Sequence, residues 1–385
     1  MGTLSCQKSL FDIPEDVHYI NCAYMSPLMN HLESLAFDVI KSQKHPHEVG
    51  VSNFFEPSQH LKQNFARLIK VDNPEKIAII PSASYGIANV THNIQMGSGQ
   101  NIVIASEQFP SNVYPWMHLC NTSHGELRQV SRPDDGRTWS EAIIDHIDEN
   151  TSAVAMGHVH WADGYKFNLA SIAQAARQHG ALVIIDGTQS IGALDFPIDQ
   201  IKPDALICAG YKWLLGPYSI GVAYYGPYFD DKEPIEHNWI NRKDSDVFQH
   251  LINYQPLYRT AANRFSVGET SNFILTPILS AAIEQLNTWQ VSGIQRYCSE
   301  LIEGFVDRWK DMGFTLNTGD AFAAHLFGIR LPEGADAVLM KPLLEKHNVF
   351  VSFRGDAIRV SPHVFNDRRD MEALTSALEE FVTTI

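Results

Sequence analysis

Lys212 follows an apolar run and a glycine, and sits between Tyr211 and Trp213 in the stretch ALICAGYKWLLGP (residues 205–217). An ammonium group is costly to bury, and apolar surroundings lower its pKa. Two readings fit: a lysine that keeps its head in water, or a nucleophilic amine prepared for Schiff-base chemistry. Asp186 closes a second apolar run, ALVIID, 26 positions before the lysine. After a third run, KIAII, comes PSASYG, whose small hydroxyl residues Ser82 and Ser84 lead into a helical pattern. Helix N-terminal amides favour an anion such as phosphate, although a plain N-cap accounts for either serine alone. A lysine, an acid and a helix N-terminus, each beyond the end of a strand, suggest pyridoxal phosphate. The lysine forms the Schiff base, the acid keeps the pyridine nitrogen protonated, and the helix N-terminus takes the phosphate. A structural ion pair between Asp186 and Lys212 is the alternative.

These groups meet only if their strands share a sheet. Seven short β-rich runs lie between about residues 76 and 226: KIAII, NIVIAS, ELRQV, SAVAMGHV, ALVIID, ALICAG and IGVAYYG. Most are separated by helix-length segments such as LASIAQAARQHG, which has helical apolar spacing and a glycine stop. That alternation predicts an α/β domain with a mostly parallel seven-stranded sheet, with ligands beyond the strands' carboxyl ends. The link from the sixth run to the seventh, Tyr211 to Ser219, is too short for a parallel crossover, so the seventh strand is expected to be antiparallel. Beyond about residue 275 the pattern changes to a long amphipathic helix over ILSAAIEQLNTWQ, expected to continue through IQRYCSELIEGFVDRWK. Short strands and a charged closing helix follow. The expected organisation is an N-terminal segment (1–45) packing near the active site, a large α/β domain (46–275) and a small α+β domain (276–385).

The chain of 385 residues carries 29 basic and 44 acidic residues, a net charge of −15. That balance argues against a nucleic-acid or anionic-membrane partner. An anionic small molecule then needs a focused local site. Cysteines at 6, 22, 120, 208 and 298 show no CxxC spacing and read as reduced thiols. The start MGTLSCQKSL lacks the apolar core of a signal peptide and has Cys6 where a myristoylation pattern wants Ser or Thr. No apolar run approaches membrane-spanning length. A cytoplasmic protein is expected.

The segment IIDGTQSIGALDFPIDQIKPDALICAGYKWLLGPYSIGVAYYG resembles the class V aminotransferases, the fold-type I group that includes cysteine desulfurases, kynureninases and an epimerase. The resemblance runs from YINCAYMSP near residue 20 to IRVSPHVFND near residue 360. It implies the fold-type I, pyridoxal-phosphate-dependent transferase architecture and a homodimer with shared active sites. By the same resemblance, Lys212 is the Schiff-base lysine and the proton carrier between Cα and the cofactor. Asp186 partners the pyridine nitrogen and Gln189 the ring hydroxyl. Ala83 (through its backbone amide), Ser84 and Tyr211 match phosphate contacts. FPSN at 109–112 resembles a kynureninase segment whose phenylalanine stacks on the ring, which makes Phe109 the stacking candidate; the other reading is a core aromatic. VFVSFRGDAIRVSPHVFND resembles the closing kynureninase segment, so Arg359 implies a fork for the substrate's α-carboxylate. Arg354 is a second anchor or a surface ion pair.

The sequence also departs from its relatives. Desulfurases use a mobile cysteine shortly before the carboxylate-binding arginine, whereas here the last cysteine is Cys298, inside IQRYCSEL. Persulfide-forming chemistry is therefore not expected. Many relatives carry Gly-Thr after an RF pair, with the threonine reaching the partner subunit's phosphate; here Glu269 is inserted, and either Thr270 serves instead or the contact is lost. In HVHWADG, His158 and His160 are expected on one face of a strand; with no third ligand in view, no metal site is assigned. His160 or Trp161 is expected to line the substrate pocket. EHNWINR (236–242) is either a surface loop or a reach toward a neighbouring active site. The expected activity is that of a pyridoxal-phosphate enzyme on an α-amino acid, with transamination as the default. A kynureninase-like lyase or an amino-acid epimerase is the alternative, and the kynureninase-like segments lean toward bulky or aromatic substrates. A non-catalytic pyridoxal-phosphate-binding protein is the reading from another class. Its mark would be loss of Lys212 or Asp186, and both are present.

Overall fold

A computed structural model describes residues 4–355 and 357–384. The Met-Gly start considered above as an acylation signal lies outside these residues. In chain order the strands are β1 (His18–Tyr19), β2 (Ile77–Ile80), β3 (Asn101–Ala105), β4 (Glu126–Val130), β5 (Thr151–Gly157), β6 (Leu182–Asp186), β7 (Ala205–Ala209), β8 (Gly221–Tyr225), β9 (Phe327–Arg330), β10 (Val349–Phe350), β11 (Ser352–Arg354) and β12 (Ala357–Val360).

Seven of these strands form one sheet in the order β2-β8-β7-β6-β5-β3-β4. β8 runs antiparallel to both β2 and β7, and the other pairings are parallel. The short link after β7 therefore closes as a reversal, as its length demands. Alternate residues feed two cores. Ile79, Val103, Val154, Ile185 and Cys208 face one layer, while Ile80, Ile104, Ala155, Ile184 and Ile207 face the other. Burial on both faces is why these strands read as continuous apolar runs rather than alternating ones.

The C-terminal part carries its own core, in which Trp309, Phe327, Ile358 and Leu378 pack between the antiparallel sheet β11-β12-β9 and surrounding helices. The single long helix expected here is instead three: Leu275–Trp289, Val291–Leu301 and Phe305–Asp311. The apolar spacing persists across the breaks, but Gln290 (φ 62°) and Gly304 (φ 79°) turn left-handed and redirect the chain. The N-terminal segment bridges the two regions. β1 pairs in parallel with β10, while Ser26 N donates to Tyr211 O at 3.0 Å.

Candidate active site

Neighbouring strand ends bring the chemistry together. Asp186, the last residue of β6, lies in register with Gly157 of β5 and Ile207 of β7. Beyond β7, Gly210 N donates to Ile220 O at 2.9 Å, and a Cβ at this position would lie 2.5 Å from that oxygen. Only glycine permits so close an approach, and it sets the direction in which Tyr211 and Lys212 leave the sheet. Beyond β2, the helix Ala83–His92 begins with Ser82 as its cap, Ser82 Oγ accepting from Tyr85 N at 3.2 Å.

A cavity of about 310 Å³ covers these ends and is lined by Ser82, Ala83, Phe109, Trp161, Asp186, Gln189, Tyr211 and Lys212. Ser84 is exposed and is not among the lining residues, but its hydroxyl lies 2.9 Å from that of Ser82, which is. Lys212 is 5% exposed, with Nζ 5.2 Å from the Phe109 ring centre and 5.5 Å from that of Tyr211. The water-seeking lysine is thereby ruled out. Burial, the largest cause, and the charge of Arg359 together push its pKa down to about 8, with Asp186 opposing the shift. Among the described residues Lys212 and Asp186 form no direct ion pair; they act on each other through space. Burial also raises the Asp186 carboxyl, offset in part by Thr188, whose backbone N donates to Oδ1 at 2.9 Å.

Phe109 is 38% exposed and packs edge-on against Trp161 (5.4 Å, 82°), so it is a wall of the cavity and not a core aromatic. Gln189 donates from Nε2 to Ala23 O (3.2 Å) and accepts at Oε1 from Trp213 Nε1 (2.9 Å), which leaves one amide proton free for a ligand. Arg359, on β12, is 1% exposed. Its Nη1 donates to Trp161 O at 2.9 Å, its Nη2 contacts Ser352 Oγ at 3.4 Å, and its Nε is buried with no partner. Burial, the largest cause, and the nearby charge of Arg354 together push this guanidinium down to about 9. Arg354, on β11, rests over the Trp161 ring at 5.2 Å and has no acidic partner among the described residues, so the ion-pair reading fails.

Thr270 does not join this group. It lines a neighbouring cavity with Glu269, and its carbonyl accepts from Ser58 Oγ (3.0 Å) and Thr276 Oγ1 (2.9 Å). Glu269 is exposed in a left-handed turn (φ 58°). His158 and His160 do not share a strand face, because β5 stops at Gly157 and the chain turns. His158 packs on Phe196, and burial pushes its pKa down to about 3. His160 lines the cavity, with Nδ1 3.3 Å from Asp163 Oδ1. Among the described residues, the grouping with metal-ligand spacing is the exposed trio His45, His47 and Glu48, far in sequence from this pair. In EHNWINR, Glu236 accepts from Tyr85 OH (2.7 Å) and Gly268 N (2.9 Å).

Three residues were missed by sequence reasoning. Thr188 supports Asp186, and its Oγ1 accepts from Ala209 N at 3.1 Å, tying β6 to β7. Its place in DGTQ was visible, but the bond to β7 was not. Gln108 accepts from Gly157 N (3.1 Å) and donates to Ala155 O (2.9 Å) in the cavity wall. Ser352 faces Arg359 across the β11–β12 ladder. Gln108 lies in no motif that would have signalled it, and Ser352, though inside VFVSFRGD, shows its pairing with Arg359 only once the strands are formed.

A dry amine, an acid, an aromatic wall and a capped helix N-terminus around one small cavity fit pyridoxal phosphate. The family description Aminotransferase class-V matches residues 40–374. An uncharacterized aminotransferase, YcbU of Bacillus subtilis, is 25% identical over 82% of this chain and 81% of its own length. A probable cysteine desulfurase of Halalkalibacterium halodurans is 26% identical over 78% and 73%. The fold matches the apo cysteine desulfurase of Thermococcus onnurineus (TM-score 0.83, 18% identity, 100% of both chains). It also matches the cystine C–S lyase C-DES in complex with cysteine persulfide (TM-score 0.82, 18% identity, 96% of this chain and 98% of the other). The chain thus belongs to the class-V aminotransferase family, pyridoxal-phosphate-dependent enzymes of fold type I.

Proposed function

We propose that the protein is an aminotransferase acting on an α-amino acid, with Lys212 holding the cofactor covalently and moving the proton at the substrate's Cα. The observation that carries this reading is the convergence of the buried Lys212 amine with Asp186 and Phe109 in one cavity. When bound, pyridoxal phosphate supplies an electron sink for negative charge at Cα. The chain's own residues do the rest. Asp186 would hold a proton at the pyridine nitrogen, and Gln189 would donate to the ring hydroxyl. Ala83, Ser84 and Tyr211 would take the phosphate at the helix N-terminus, and Phe109 would cover the ring. An amine near pKa 8 has a neutral form accessible near neutral pH, which is what nucleophilic attachment and proton abstraction require. Arg359 would fork onto the α-carboxylate, with Trp161 closing the same side.

Thr270 lies outside the cavity of its own chain, which supports a contact with a partner subunit's phosphate and hence a homodimer. Persulfide chemistry on this chain is disfavoured. Cys298 is buried in the helix Val291–Leu301 with Sγ 3.6 Å from Pro362 O, and no cysteine lies between it and Arg359.

The test is the visible spectrum of the protein with pyridoxal phosphate, mixed with single amino acids and no keto-acid acceptor. Transamination predicts bleaching that stops after one equivalent. A band that returns while product accumulates would instead identify a lyase or an epimerase. A band unmoved by any amino acid in a broad panel would leave a non-catalytic binding protein.

A further inference from the structure

Two guanidinium groups flank Trp161, a wall of the candidate cavity, with no acidic partner among the described residues. Arg359 and Arg354 stand on the paired strands β12 and β11, where Arg359 faces Ser352 and Arg354 faces Ala357. Trp161 connects them, because its carbonyl accepts from Arg359 Nη1 at 2.9 Å while its ring carries the Arg354 guanidinium at 5.2 Å. The indole is itself pinned by Nε1 donation to Glu107 O at 2.6 Å. Phe109 packs edge-on against it, and Lys212 Nζ lies 5.2 Å from the Phe109 ring centre. Both arginines are near enough to depress the Lys212 amine, and Arg354 depresses Arg359.

Their remaining partners are neutral. Arg359 has Trp161 O and Ser352 Oγ, and Arg354 Nη1 has Phe353 O at 2.7 Å. The Nε of each is buried with no partner. The chain does not lack carboxylates, since Arg128, Arg132 and Arg308 each hold at least one. Two like charges left unpaired in a partly dry place are costly until anions arrive. One α-carboxylate saturates one planar guanidinium in a two-pronged contact. The second guanidinium is then still unmatched.

We propose that the substrate is an α-amino acid carrying a second carboxylate on its side chain, with Arg359 taking the α-carboxylate and Arg354, seated on Trp161, taking the other. This rests on the reading of the cavity as a pyridoxal-phosphate site for amino acids and narrows it to acidic substrates, in place of the bulky or aromatic ones toward which the kynureninase-like segments lean.

The experiment uses the holoenzyme and ligands without an amine, so that binding is read apart from turnover. Succinate and glutarate are titrated against butyrate by calorimetry, and aspartate, glutamate, cystine and kynurenine are titrated through the visible band. The expected result is that the better dicarboxylate binds at least tenfold more tightly than butyrate. Arg354→Leu should shrink that ratio to within twofold, and Arg354→Lys should recover part of it. The inference is overturned by a ratio near one in the unaltered protein, or by Arg354→Leu weakening butyrate as much as the dicarboxylates. It is also overturned if kynurenine shifts the band at lower concentration than every dicarboxylic amino acid. If Arg354→Leu does not fold, the ratio in the unaltered protein and in Arg354→Gln decides. A protein that forms no cofactor band sinks the underlying reading together with this one. A band without a dicarboxylate preference sinks only the substrate class.

Discussion

Lys212 is buried at a cost that can be measured in the cofactor-free protein. Its folded pKa of about 8 lies below the ordinary 10.5, so between these values the unfolded chain binds more protons and stability rises with pH. Below pH 8 the cost is present in full; above 10.5 it is gone. Lys212→Met should therefore stabilise the cofactor-free protein by up to roughly 3 kcal/mol at pH 7, with the advantage fading toward pH 10.5. Urea midpoints of both proteins across that range check it, and a gain that does not change with pH would sink it. Arg359 makes a second residue-scale case. Arg359→Lys keeps a charge but loses the fork, so the amino-acid concentration that half-shifts the visible band should rise tenfold or more. The cofactor band itself should persist, which separates a substrate contact from a cofactor contact.

At the scale of elements, the turn after β7 aims the lysine. A methyl group at Gly210 would meet Ile220 O at 2.5 Å, and backbone on both sides has little room to move. Gly210→Ala should cost about 1–3 kcal/mol and lower cofactor occupancy, because the strand end that carries Lys212 must shift. Denaturant unfolding together with the visible band tests both halves. Full occupancy at unchanged stability would show that the close approach is unimportant. The three helices from Leu275 to Asp311 teach a related lesson. Apolar periodicity reports which side of a segment faces the core, and that side can be kept across a break. Where the backbone turns at Gln290 therefore left no mark in the spacing, whereas the glycine at Gly304 could have been taken as a stop.

For the whole molecule, the proposed homodimer has a candidate surface. Ile252 (81% exposed) and Tyr254 (93%) stand on the connection that also carries Trp239 and Leu257. Large apolar side chains this exposed on one segment suit the contact that the proposed dimer needs. Sedimentation should find a dimer, and Tyr254→Asp should weaken it; a fully active monomer would contradict the shared site. We also propose the division at residues 45 and 275, which limited proteolysis of the holoenzyme would test by where the first cuts fall. In the structure the helix Leu275–Trp289 contributes Leu279, Ile283 and Leu286 to the large core. Among the described residues no helix is long and apolar enough to cross a membrane.

The sequence by itself determined the seven sheet strands, the reversal after the sixth, and Asp186 and Lys212 as residues at strand ends. Strand burial on two faces writes itself as apolar runs, and a connection too short for a crossover admits one topology. It also carried the spaced pattern of Asp186, Gln189 and Lys212, a local signal because β6, β7 and their loops are contiguous in the chain. Only the tertiary structure decided what meets across long separations. Trp161 and Arg359 come together through a carbonyl–guanidinium bond, and Arg354 lies over the same indole. Phe109 turns into the cavity rather than the core, Thr270 falls outside it, and His158 parts from His160. These outcomes depend on side-chain direction after a strand has ended, where neither periodicity nor propensity constrains the backbone. Whether Arg354 is paired depends in turn on which carboxylates the fold leaves within its reach.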